Sequence, residues 1–144
     1  MLKGKKVLIT GGGRGIGAGI VREAMRAGAE VAFTYFHSAD DAHALAAQLS
    51  VQYPTQRCLA LECDAADAKA MEATVKQVIA EFGAVDGLVN NAGITRDVVF
   101  ARMSRDQWDS VIDTNLGSMF NAVKPLILQM VKQRGGAIVN ISSV

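Results

Sequence analysis

Cysteine, proline and large aromatic side chains are all scarce in this chain, and each shortage removes a class of explanation. Two cysteines, two prolines and one tryptophan occur among 144 residues. Cys58 and Cys63 lie five positions apart on a segment that reads as a strand. Side chains alternate along a strand, so an odd separation points the two thiols to opposite faces. That argues against a disulfide and against a shared metal, and it leaves two reduced thiols in or near a core. His37 and His43 are the only histidines, and neither has companions at metal-ligand spacing. No metal is expected. An excess of one charge is also missing: 15 basic against 14 acidic residues give a formal net charge of +1. A nucleic-acid partner is therefore not favoured. Long apolar runs are missing too. Lys3, Lys5 and Lys6 precede Val7-Leu8-Ile9, but that stretch stops at Thr10 and three glycines, far short of a signal core or a bilayer span. The expectation is a cytoplasmic protein without a membrane partner.

What is present is globular: half of the residues are hydrophobic and a fifth are charged. Short β-branched runs alternate with longer helical segments. Strands are predicted at Lys5–Thr10, Glu30–Phe36, Arg57–Leu61, Asp86–Val89 and Ala137–Ile141. Helices are predicted at Gly15–Arg26, Ala39–Leu49 and Ala66–Phe82, the first placing Ile16, Ile20, Val21 and Met25 near one face. Gly28 stands where a left-handed helix end favours glycine. Ser104 is a plausible N-cap for a long helix toward Gln133, which Gly117 or Pro125 would bend or divide. Strands alternating with helices imply βαβ crossovers and an α/β fold with a parallel sheet. No repeat, low-complexity tract or linker divides residues 1–144, so one domain is expected.

The segment Thr10-Gly-Gly-Gly-Arg-Gly-Ile-Gly17 falls between the first strand and the first helix. Gly11, Gly15 and Gly17 give a G-x-x-x-G-x-G spacing. Glycine lets the backbone turn tightly and approach a pyrophosphate, while the helix start offers free N–H groups and a positive dipole end. A flexible turn is the bland alternative, and spacing alone is weak. Placement at the first βα junction favours nucleotide binding. No Gly-Lys-Ser/Thr follows, which sets aside a Walker-type ATP site.

This T-G-x-x-x-G-I-G string resembles the short-chain dehydrogenase/reductase family, and further motifs follow in family order. Asp64, after the third strand, is similar to the aspartate that meets the adenine amino group in the family, with Ala65 beside it. Asn90-Asn91-Ala92-Gly93 resembles the N-N-A-G that lines the cofactor and steadies the sheet. Asn115 in Asp-Thr-Asn-Leu resembles the asparagine of the catalytic tetrad, which holds a water of the proton relay, and Ile141-Ser142-Ser143 resembles the end of strand five. Singly, each reads as well as a turn, helix-surface or loop residue; jointly and in order they support the family. The resemblance implies a Rossmann-like doubly wound parallel sheet with five strands in the order 3-2-1-4-5, lacking the family's carboxyl-terminal elements. It also implies cofactor contacts from Gly11, Gly13, Arg14, Gly15, Ile16, Gly17, Asp64, Ala65, Asn91, Ala92 and Gly93.

An NAD-preferring site of this type carries an acidic residue about twenty positions past the glycines, for the ribose 2′-hydroxyl. Here the second strand ends in Thr34-Tyr35-Phe36-His37-Ser38, and no carboxylate occurs before Asp40 and Asp41. Arg14 lies in the glycine turn, where a guanidinium clasps a 2′-phosphate with charge-assisted bonds; His37 and Ser38 add donors. Arg14 as a solvated surface charge is the plain alternative. The expected cofactor is NADP(H).

By resemblance, Ser143 is the serine that hydrogen-bonds the substrate carbonyl. The family's Tyr-x-x-x-Lys pair is absent: neither Tyr35 nor Tyr53 has Lys four residues on. The chain alone is therefore expected to be an incomplete, inactive fragment. Asn90–Asp97 and Arg102-Met103 look most like 3-oxoacyl-acyl-carrier-protein and acetoacetyl-CoA reductases. That implies an acyl thioester substrate, with Arg134 either meeting an acidic carrier or simply closing a helix. The resemblance also implies that the helix carrying Trp108, Val111, Ile112, Met119 and Phe120 forms a homo-oligomer interface (tetramer or dimer); its apolar face is equally explained as core. Sugar, steroid or polyol dehydrogenases of the same family, and a non-catalytic nucleotide-binding protein, remain open alternatives.

Overall fold

The computed structural model describes residues 1–143. Five strands, β1 (Lys6–Ile9), β2 (Glu30–Tyr35), β3 (Cys58–Glu62), β4 (Gly87–Asn90) and β5 (Ala137–Asn140), form one sheet in the order β3-β2-β1-β4-β5. Every pairing is parallel, as crossover connections require. The helices are α1 (Gly15–Arg26), α2 (Ala39–Gln52), α3 (Ala68–Phe82), α4 (Arg105–Ile112) and α5 (Ser118–Lys132). The expected class and strand order are both present.

Alternation along the strands sorts the core into two layers. Val7, Ile9, Val31 and Phe33 pack under α1 and α2 with Val21, Met25, Leu45 and Leu49. Leu8, Ala32 and Leu88 face the other way, onto Met71, Val75 and Val78 of α3 and Ala122 and Leu126 of α5. Cys58 belongs to the first layer and Cys63 to the second, on opposite faces as their spacing implies. Both thiols are buried and free, and burial pushes the Cys58 thiol up to about 11.

Several boundaries differ from the periodicity. Helix α2 runs three residues past Leu49, and α3 starts at Ala68 because the Asp67 carboxylate caps the amides of Lys69 and Ala70. The third and fourth strands each sit one residue later than expected. Ile16 is 70% exposed and does not join the core face of α1, which uses Gly17, Ala18 and Ala24 instead. The long helix after Ser104 is divided, with Ser104 and Gln107 forming a capping box at its start. The division is a π-turn over Asp113–Gly117, whereas Pro125 lies inside a continuous α5. None of the residues of α4 is buried, so Trp108 and Ile112 are not core.

Candidate functional site

In a 3-2-1-4-5 order the chain leaves β1 in one direction, toward β2 and β3, and later returns on the other side to β4. The gap between the ends of β1 and β4 is the switch point where open α/β sheets bind ligands. Thr10 follows β1 there and is 1% exposed; its hydroxyl accepts the amides of Asn91 (3.0 Å) and Ala92 (3.1 Å). The Asn91 side chain in turn donates to the Gly11 carbonyl at 3.0 Å. On the other flank the Thr34 hydroxyl accepts from the Gly11 amide at 3.2 Å. The glycine turn is thereby tied to the ends of β1, β2 and β4 at once.

Three of its glycines are required by geometry, Gly12 because a Cβ there would lie 2.5 Å from the Phe33 Cβ. Gly11 has φ +65°, and a Cβ there would lie 2.9 Å from the Ala92 Cα. At Gly17 a Cβ would lie 2.0 Å from the Gly11 carbonyl oxygen and 2.6 Å from the Asn91 amide nitrogen, contacts no side chain tolerates. The close approach that requires glycine at position 17 is between α1 and the turn itself. Arg14 occupies the N-cap of α1 in extended conformation without a side-chain cap, and the first turn carries no acidic residue. The helix start keeps its amides and its dipole for another partner.

A cleft of about 430 Å³ opens beside this turn. That volume falls in the roughly 300–1,000 Å³ range of small-molecule sites. Gly11, Gly13, Arg14, Gly15, Ile16 and Gly17 line it, as do His37, Asp64, Ala65, Asn91, Ala92 and Gly93. Ser38 does not; it adopts a left-handed conformation (φ 63°) one residue beyond the rim. Asp64 accepts the Ala66 amide through one carboxylate oxygen at 2.9 Å, and the Ala65 carbonyl accepts from the Asn121 side chain at 3.0 Å. Two arginines, Arg14 and Arg96, line the cleft against one acidic residue, Asp64. Among the described residues Arg14 makes no ion pair. The lining is cationic and rich in backbone donors, suited to an anionic ligand.

Some lining residues escaped the sequence reading: Thr34, Tyr35, Ile94, Arg96, Ser110 and Thr114. A signal existed for three of them: Ser110 and Thr114 stand four apart, on one helical face. For Thr34 the signal was a hydroxyl at the end of an otherwise apolar strand.

The two residues assigned to chemistry lie outside the cleft lining. The Asn115 side chain accepts the Ile94 amide (2.6 Å) and donates to the Ile94 carbonyl (2.8 Å) from within the π-turn. It clamps the loop that follows β4, and both edges of its amide are engaged. Ser143 follows the carboxyl end of β5 and is exposed. Arg134 sits just past α5 at φ 56°, its amide bonded to the Val131 carbonyl, in the left-handed position of a helix end. No helix of the described residues is long and apolar enough to cross a membrane, and none of them forms a metal-binding cluster.

Residues 5–144 match the short chain dehydrogenase family. The chain is 42% identical over 140 residues to the 3-oxoacyl-[acyl-carrier-protein] reductase FabG of Staphylococcus aureus strain Mu50, covering 97% of this chain and 56% of that protein. The chain spans about half the length of such relatives. A double mutant of a Serratia marcescens short-chain dehydrogenase/reductase superposes with a TM-score of 0.92 at 38% identity, over 99% of this chain and 57% of the other. A Burkholderia cenocepacia short chain dehydrogenase in complex with NADP gives 0.89 at 36% identity, over 99% and 56%. Together with the parallel sheet and the glycine turn at its switch point, these matches establish that the chain belongs to the short-chain dehydrogenase family.

Proposed function

We propose that the cleft binds a nicotinamide dinucleotide with preference for NADP(H). We propose further that a protein completed to the length of these relatives reduces a 3-oxoacyl thioester, on acyl carrier protein or coenzyme A, to the 3-hydroxyacyl thioester. The observation that carries the reading is the glycine turn packed into the switch point, with no room for a Cβ at Gly17 and free amides opening α1. The pyrophosphate belongs against Gly13, Arg14, Gly15, Ile16 and Gly17. Asp64, whose second carboxylate oxygen is open, and Ala65 belong to the adenine, and Asn91, Ala92 and Gly93 to the nicotinamide side. The residues after β2 offer no carboxylate to a ribose and no repulsion to a 2′-phosphate. Arg14 supplies the charge, with a donor from His37, which lines the cleft. The solved Burkholderia relative with NADP supports this choice.

When bound, the nicotinamide supplies hydride. Ser143 donates a hydrogen bond to the substrate oxygen, where one placed donor contributes about 3 kcal/mol to the transition state. Asn115 fixes the Gly93–Ile94 loop through its side chain. A general acid is still required, and no Tyr-x-x-x-Lys occurs in the 144 residues. The chain alone is expected to bind cofactor without measurable turnover of an acetoacetyl thioester. The exposed apolar side chains from α4 through the π-turn to α5, Phe120 at 68% and Leu116 at 60% among them, are proposed to meet a second copy. Arg134 is proposed to meet an acidic carrier.

Arg14→Glu tests the cofactor assignment. NADPH binding should weaken on the order of 10- to 100-fold, the scale of a lost charge-assisted contact, while NADH binding changes far less. Equal losses for both cofactors, by calorimetry or nicotinamide fluorescence, would refute NADP(H) preference.

A further inference from the structure

Between β2 and α2 the chain makes a three-residue loop, Phe36, His37 and Ser38. It has little of its own to hold its shape. Phe36 is 51% exposed, and among the described residues its ring contact is with His37, tilted at 4.7 Å. Ser38 takes a left-handed backbone, and its hydroxyl does not cap α2. The loop is held at its ends: the Tyr35 carbonyl accepts the Cys63 amide at 2.8 Å, and the Ser38 carbonyl accepts the Ala42 amide at 3.1 Å.

One side-chain bond spans the loop. The Tyr35 hydroxyl lies 2.9 Å from His43 Nε2, with the rings edge to face at 5.3 Å. Tyr35 is 7% exposed, whereas His43 lies on the exposed side of α2. On its inner side Tyr35 backs the glycine turn, since a Cβ at Gly13 would lie 3.2 Å from the Tyr35 Cβ and 3.4 Å from the Ala42 Cβ. The phosphate turn, the loop and the first turns of α2 therefore converge on one tyrosine, and the histidine locks its ring. The bond does not depend on one protonation state. A neutral imidazole accepts from the phenol and a protonated one donates to it.

We propose that Tyr35 and His43 are positioning residues for recognition of the adenosine 2′-phosphate, holding the His37–Ser38 loop in its binding shape without touching the ligand through His43. The inference rests on the NADP(H) reading. Its consequence is selective: loss of the Tyr35–His43 bond releases the loop but leaves the amides at the start of α1 in place. Preorganisation is lost at the 2′-phosphate and kept at the pyrophosphate.

Calorimetry on the 144-residue protein with adenosine 2′,5′-bisphosphate and adenosine 5′-monophosphate tests it. Tyr35→Phe and His43→Leu should each weaken the bisphosphate roughly three- to tenfold, the effect of one neutral hydrogen bond, and leave the monophosphate within about twofold. His43→Gln, whose amide still reaches for the phenol, should recover most of the loss. Unchanged bisphosphate affinity in Tyr35→Phe, equal weakening of both nucleotides, or a His43→Gln variant no better than His43→Leu would each overturn the proposal. Arg14→Glu separates the two levels. If it abolishes the preference for the bisphosphate while Tyr35→Phe does nothing, only the positioning role is lost. If the unaltered protein shows no such preference, the NADP(H) reading falls and this inference with it.

Discussion

Strands β2 and β5 are built from similar residues and live in opposite surroundings. In Glu30–Tyr35 every residue after the first is buried, with Val31 and Phe33 at 0% exposure. In Ala137–Asn140 all four are exposed, Val139 at 49%. Composition does not separate them; cover does. β2 has strands on both sides, α1 and α2 on one face and α3 behind it. β5 pairs only with β4, and beside α1 the faces of β4 and β5 border an apolar hollow of about 920 Å³. That hollow is larger than the cleft, but it runs along the strands rather than at their carboxyl ends and offers little convergent polar chemistry. The comparison teaches that in the nucleotide half β2 is buried by its own neighbours, while in the other half β5 has apolar cover on neither face and is tied to β4 by backbone pairing and by the Asn90–Asn140 side-chain bond (2.9 Å). The cleft and the end of β5 thus rest on supports of unequal burial.

The largest test of this contrast is a pair of truncations. Phe33→Ala should cost about 3–5 kcal/mol of unfolding free energy, the scale of an emptied aromatic core position. Val139→Ala should stay within about 0.5 kcal/mol, as surface changes do. Guanidinium unfolding followed by circular dichroism reads both, and comparable losses would erase the distinction between the halves. A smaller effect is expected where the halves join. Thr10→Val keeps the volume but leaves the amides of Asn91 and Ala92 without their acceptor. A buried unmade bond costs about 1–3 kcal/mol. Faster hydrogen exchange at those two amides, with the exchange of β2 unchanged, would locate the loss at the joint.

The sequence made the nucleotide half legible because its constraints are local. A glycine turn at a βα junction needs only the neighbours it has in the chain, and each glycine-turn residue expected to face the cofactor does line the cleft. Alternation located the two thiols, because period two is a property of any strand. What stayed hidden depends on distant partners. Ile16 falls on the helical stripe by count, yet the uncovered side of α1 leaves it exposed. The π-turn at Asp113–Gly117 is set by the clamp between Asn115 and Ile94, 21 residues apart in the chain. Ser38 reads as a donor from its position after β2; its backbone is left-handed (φ 63°) and it does not line the cleft. The roles of Thr10 and Thr34 follow from the strand order, which no local window contains.

The smallest test concerns charge on the covered half. Arg57 donates to both carboxylate oxygens of Glu30 and to the Glu81 carbonyl, and its guanidinium lies 4.6 Å over the Phe82 ring. The Arg57 hydrogen bond holds the Glu30 carboxyl below its ordinary range. A carboxyl with a lowered folded-state pKa contributes stability above its unfolded value, about pH 4, and loses it as pH falls through the lowered one. Arg57 is about half exposed, with 47% of its side chain accessible, so solvent screens the pair. Its worth is less than about 1 kcal/mol. The stability difference between the unaltered protein and Arg57→Gln should therefore shrink between pH 6 and pH 3. A difference that holds constant across that interval would assign the stabilisation to the Phe82 ring and the Glu81 carbonyl, neither of which titrates there, and would leave β2 held by packing alone.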